Sequence, residues 1–147
     1  SERDEAVSML QEEGLDAVFA RHARYGVATR AAVVAWGLDT QCRVAQEHSP
    51  VLTGVRLPSG FDGDRLRELI LARFDMSLGQ GLGRLKGSMF RIGHLGDLND
   101  LSLMGALCGV EMGLQAFGVP LAGSGVLAAL DVLRAVPPSR AGATSDA

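Results

Sequence analysis

Gly79-Gln80-Gly81-Leu82-Gly83-Arg84-Leu85-Lys86-Gly87-Ser88-Met89-Phe90-Arg91-Ile92-Gly93-His94-Leu95-Gly96 packs six glycines, three cationic side chains and a histidine into eighteen residues. Glycine belongs where a backbone must take positive φ or admit a close neighbour, so the first half reads as a shaped loop. The second half alternates as a strand does. Ser88, Phe90, Ile92 and His94 fall on one face, with Met89, Arg91 and Gly93 on the other. Phe90 and Ile92 are then core residues, and Arg91 points away from the core beside a glycine that leaves room. A planar guanidinium on a rigid strand suits bidentate capture of a carboxylate or phosphate. The plainer reading is an exposed arginine on an edge strand.

On the amino-terminal side, residues 4 to 12 and 15 to 36 have helical composition, with Gly14 as a break between them and Asp16 as a possible cap. Leu15, Val18, Phe19, His22, Tyr25, Ala28, Ala32 and Trp36 recur at steps of mostly three and four and define one apolar face. Gly37 stops this helix. Gln41 to Ala45 and Val51 to Leu57 read as two paired strands, with His48-Ser49-Pro50 between them. Asp62 to Arg73 resumes helical spacing, its charged residues forming a solvated face. Asp75 to Leu78 is a short third strand, and Ser88 to His94 a fourth.

Carboxyl-terminal to the loop, Asn99 or Asp97 caps a helix from about Asp100 to Phe117 whose apolar positions run nearly all round. Gly105, Gly109 and Gly113 form a stripe along it, which predicts close packing against another backbone. Gly118-Val119-Pro120 ends it, and Val126 to Ala135 is the last helix. Pro137 onward lacks apolar periodicity and reads as a disordered tail.

Nearly half of the 147 residues are apolar and about a fifth charged, enough for one globular domain with a core. A net charge of −3, one tyrosine and one tryptophan favour neither nucleic acid nor an anionic membrane as partner. Cys42 and Cys108 lie far apart with no metal-ligand spacing, and read as small buried residues of a reducing compartment. His22 and His48 lack partners at such spacing too, so no metal site is expected. The amino terminus has no apolar signal segment, and the most apolar helix, near Leu101 to Leu114, carries Glu111 and is too short to span a bilayer, so a cytoplasmic location is expected. Gly79-x-Gly81-x-Gly83 is no dinucleotide loop: Arg84 stands at the third glycine position of GxGxxG, and no GK[ST] follows.

Gly81-Leu82-Gly83 together with Lys86-Gly87-Ser88-Met89-Phe90-Arg91-Ile92-Gly93-His94-Leu95-Gly96 resembles the C-terminal domain of class V, fold-type I pyridoxal-phosphate aminotransferases. The nearest group is the serine–glyoxylate and alanine–glyoxylate enzymes. Glu12 to His22 upstream and Gly105 to Leu114 downstream match the same domain in order, and the resemblance covers roughly residues 5 to 134.

The resemblance implies an α+β fold, a small three- or four-stranded sheet with helices mainly on one face. Residues 1–14 would end a linker helix from an absent large domain, 15–136 would form the small domain, and 137–147 the tail. Arg91 takes the position of the arginine that grips substrate carboxylates, Gly81, Leu82 and Gly83 form an active-site loop, and His94 supports them from behind. Lys86 is the only lysine in the chain and does not match the Schiff-base lysine, which belongs to the large domain. Pyridoxal phosphate is therefore expected in the full-length enzyme and not in this segment alone, which is expected to be inactive. The implied partners are its own large domain, a second subunit, and small amino and oxo acids. A ureidoglycine–glyoxylate aminotransferase, or a non-catalytic interaction domain of the same fold, are the alternatives.

Overall fold

Helix α1 (Glu2–Trp36) runs unbroken through Gly14, where the composition predicts an interruption. One glycine weakens a helix by only about 1 kcal/mol relative to alanine, and strong helix formers on both sides let the ladder propagate across it. The computed structural model describes residues 2–40, 52–81, 87–93 and 99–136. Cys42, His48, Leu82, Gly83, Lys86, His94, the strand expected at Gln41 to Ala45 and the tail from Pro137 lie outside them.

Four antiparallel strands follow the order β1-β2-β4-β3: β1 (Asp39–Thr40), β2 (Leu52–Arg56), β3 (Gly79–Gln80) and β4 (Met89–Gly93). The partner of β2 on its outer side is thus Asp39–Thr40, in register Asp39 with Arg56. The third strand begins at Gly79 and not at Asp75, because Asp75 closes the preceding helix in the left-handed region at φ 53°. Aspartate tolerates that conformation better than most side chains.

Among the described residues three further helices follow: α2 (Gly63–Phe74), α3 (Asp100–Phe117) and α4 (Gly125–Ala135). Each starts on a side-chain cap. Asp62 accepts from Asp64 N–H at 2.8 Å, Asn99 and Ser102 exchange a reciprocal capping box, and Ser124 Oγ accepts from Leu127 N–H. Gly118, at φ 88°, ends α3.

The core lies between the helices and one face of the sheet. Trp36, Leu66, Ile70, Leu107 and Leu114 from the helices meet Val55, Phe90 and Ile92 from the strands in one contiguous cluster. Burying each such side chain contributes about 1.5–3 kcal/mol. Phe90 and Ile92 face inward as their alternation predicts. Met89 is buried as well, though outside the contiguous core.

Helix α3 is not buried all round. It packs on α2 and α4 and leaves Leu101, Cys108 and Met112 exposed, so Cys108 is a surface thiol and not the buried residue its type suggests. Its glycine stripe accommodates side chains and no neighbouring backbone. A Cβ on Gly113 would lie 2.4 Å from Ile70 Cγ1, one on Gly109 would lie 2.9 Å from Met76 Cε, and one on Gly105 would meet nothing within 4 Å.

Arg24 ties the ends of two helices together. Its guanidinium meets Asp100 at the start of α3 (Nη1–Oδ1 2.5 Å, Nη2–Oδ2 3.0 Å) and donates to Leu133 O and Val136 O at the end of α4. The cation sits at a helix C-terminus and the anion at an N-terminus, where the helix dipoles favour each. The Arg24 hydrogen bonds hold the Asp100 carboxyl below its usual range against the opposing pull of burial. Among the described residues no helix is long and apolar enough to cross a membrane.

Candidate active-site face

Arg91 stands on β4, an interior strand hydrogen-bonded to β2 on one side and β3 on the other. Its directly paired neighbours are Gly54 and Gly79, so on the face that Arg91 shares with them no side chain flanks it across either strand. The vacancy beside Arg91 comes from these two partners more than from Gly93, the glycine that sequence alternation singles out. On the opposite face Phe90 and Ile92 fix the strand in the core.

The arginine side chain lies over β3. A Cβ on Gly79 would come within 3.0 Å of Arg91 Cβ and 3.3 Å of its Nε, so only glycine lets the side chain take this path. Arg91 Nε donates to Gln80 O at 2.7 Å. That bond orients the guanidinium plane, while neither Nη atom has a hydrogen-bond partner among the described residues. The half-buried side chain carries its two Nη groups side by side, the arrangement that suits a carboxylate end-on.

Strand β3 is held from the helical side by residues that composition assigns to a solvated face. Arg67 on α2 donates through Nε to Leu78 O at 2.8 Å and through Nη1 to Asp64 Oδ1 at 3.2 Å. Gln80 Nε2 makes longer contacts of 3.4 and 3.5 Å to the same Asp64 carboxylate. Their roles rest on partners supplied by the loop and strand after α2, which helical periodicity does not register.

Of the residues expected at the site, Arg91 and Gly81 are described. Gly81 is buried and directly follows β3. A depression of about 260 Å³ lined by Arg67, Glu68, Leu71, Ser77 and Leu78 opens beside α2 and does not include Arg91. No lysine occurs among the described residues, and the hydrogen-bond partner of Arg91 among them is a backbone carbonyl and not an acid. These residues by themselves do not fit pyridoxal phosphate. No group of three or more His, Cys, Asp or Glu among the described residues could hold a metal ion.

No protein-family model matches the chain. Individual proteins do. Over 138 residues it is 46% identical to serine–glyoxylate aminotransferase of Methylorubrum extorquens, covering 93% of this chain and 34% of that protein. Two solved structures share the fold. Pyridoxamine–pyruvate aminotransferase of Mesorhizobium loti superposes with a TM-score of 0.78 at 36% identity, over 90% of this chain and 34% of the other. Ureidoglycine–glyoxylate aminotransferase of Bacillus subtilis does so with a TM-score of 0.77 at 33% identity, over 88% and 34%. The chain spans about a third of the length of the curated relatives it matches.

Proposed function

The chain belongs to the class V aminotransferases, as the segment that forms their α+β C-terminal domain, and from that premise we propose that it contributes the carboxylate-binding arginine, Arg91, to an active site completed by a larger domain. The full-length protein, in this reading, transfers an amino group from serine or alanine to glyoxylate or pyruvate and works as a homodimer. Pyridoxal phosphate, held mainly by the larger domain, would supply the electron sink for that chemistry. This segment alone would be inactive.

The observation that carries the reading is the state of the Arg91 guanidinium. Its plane is oriented through Nε while both Nη atoms lack partners among the described residues, and glycines stand across from it on both neighbouring strands. Such a fork binds a carboxylate and orients the rest of the substrate relative to it.

The names of the similar proteins support the same division of labour. Their amino donors differ, being serine, ureidoglycine and pyridoxamine, whereas each acceptor is a 2-oxo acid, glyoxylate or pyruvate. A carboxylate fork in the shared domain serves the constant partner. Choice of donor then falls to residues outside it.

Replacing Arg91 by lysine in the full-length protein tests this, because lysine keeps the charge and loses the fork. Removing one partner of a desolvated, hydrogen-bonded charge pair costs about 2–5 kcal/mol, so kcat/KM for both amino and oxo acid should fall at least about tenfold. A value within about twofold of the parent would defeat the assignment.

A further inference from the structure

We propose that Arg67 is a positioning residue for Arg91, acting through the edge strand β3. The inference rests on the carboxylate reading of Arg91 given above. Strand β3 is two residues long and among the described residues pairs only with β4, so its own ladder holds it weakly. Two arginines supply what the ladder lacks, one from each side of the sheet. From the helical side Arg67 Nε binds Leu78 O, and from the open side Arg91 Nε binds Gln80 O.

The two acceptors flank Gly79, whose missing side chain lets Arg91 lie across the strand. Residues 78–80 therefore act as a short rail. Arg67 fixes it to α2, and Arg91 takes its orientation from it. Helix α2 is itself fixed, by the Asp62 cap at its start and by buried Leu66 and Ile70 on its inner face. Without Arg67 the Leu78 carbonyl loses its side-chain tether, the rail relaxes, and the Nε of Arg91 loses a fixed acceptor. The fork must then be ordered anew by each substrate, which weakens carboxylate binding. Arg67 is half-buried, and its described hydrogen bonds go to Leu78 O and to Asp64 on its own helix.

Substrate-saturation kinetics on the full-length protein test this with Arg67→Met, Arg67→Lys, Gly79→Ala and Arg91→Lys. Arg67→Met and Gly79→Ala should each raise KM for both the amino and the oxo acid at least about fivefold, with kcat changed less than about twofold. Arg67→Lys can still donate to Leu78 O and should recover most of the loss. If Arg67→Met leaves KM within about twofold of the parent while Arg91→Lys raises it, the positioning role is overturned and the carboxylate reading stands. If Arg67→Met fails to fold, Arg67→Ala, the better helix former, decides the matter on the same criterion. If Arg91→Lys itself leaves KM unchanged, the carboxylate reading has failed and the positioning role falls with it.

Discussion

Trp36 Nε1 donates to Glu111 Oε1 at 2.7 Å, joining the last turn of α1 to the middle of α3. The same carboxylate accepts from Ser124 Oγ at 3.1 Å and from Val126 N–H at 3.2 Å at the start of α4. A negative charge is favoured there by the helix dipole. Burial pushes the Glu111 carboxyl upward, and the hydrogen bonds from Trp36, Val126 and Ser124 outweigh it, leaving the group below its usual value.

Glu111→Ala should accordingly destabilise the domain by about 2–3 kcal/mol, since it strands a fully buried indole N–H and frees the Val126 N–H at the start of α4. Urea unfolding followed by the fluorescence of Trp36, the single tryptophan, measures this directly. A loss below about 0.5 kcal/mol would show that water replaces the carboxylate without penalty.

The glycines of α3 and α4 should split in sign. Gly105→Ala meets open space and should stabilise the helix by about 0.5–1 kcal/mol through propensity alone. Gly113→Ala drives a methyl into Ile70, and Gly125→Ala puts one 2.5 Å from the Trp36 ring and 2.6 Å from Ala32 O. Each should destabilise by about 1–3 kcal/mol. Thermal melts of the three variants decide it, and a shared direction of change would sink the packing account.

Acid should weaken the fold in two stages. His22 is held below its ordinary value of 6.5 by burial and by Arg21, so the folded state binds fewer protons there. Its contribution is complete above pH 6.5 and declines as pH falls toward the folded value. Asp100 and Glu111 are also lowered, so their contributions are present above the ordinary carboxylate range near pH ~4 and are lost as pH drops through their folded values. Unfolding free energies measured from pH 8 to pH 3 check this. Asp100→Asn should flatten the lower stage, and an unchanged slope would rule out the Arg24–Asp100 pair as its source.

Arg24→Met should loosen the end of α4. The guanidinium is nearly buried while Asp100 is about 38% exposed, so the carboxylate released can rehydrate and the loss should be moderate, about 1–3 kcal/mol. Amide exchange at Val136, whose N–H bonds Val132 O, should accelerate more than that at Leu114 in the core. Equal acceleration at both would mean that Arg24 stabilises the whole domain and not this terminus.

Local signals were legible wherever they were also sufficient. Asn99 and Gly118 set the two ends of α3 because caps act over three or four residues. Strand β4 was readable from its alternation, which placed Phe90 and Ile92 inward. Gly14 taken alone predicts a break, but the cooperativity of its helix-forming neighbours carries α1 across it. Cys108 was misread because an apolar helix need not be covered on every side. Arg24 and Glu111 carried no local mark at all: their partners lie 76 and 75 residues away, and only the folded chain brings them together. Arg67 escaped for a related reason, its acceptor at Leu78 lying beyond the helix that sets its periodicity.

The unbroken course of α1 makes it a lever. Thirty-five residues at 1.5 Å per residue extend about 52 Å, and the regular ladder carries no hinge at Gly14. A tilt of about one degree at Trp36 therefore displaces the far end by roughly 0.9 Å. Because α1 contacts β2, the strand paired with the one that bears Arg91, a small adjustment of the sheet passed on to α1 would be magnified along its length.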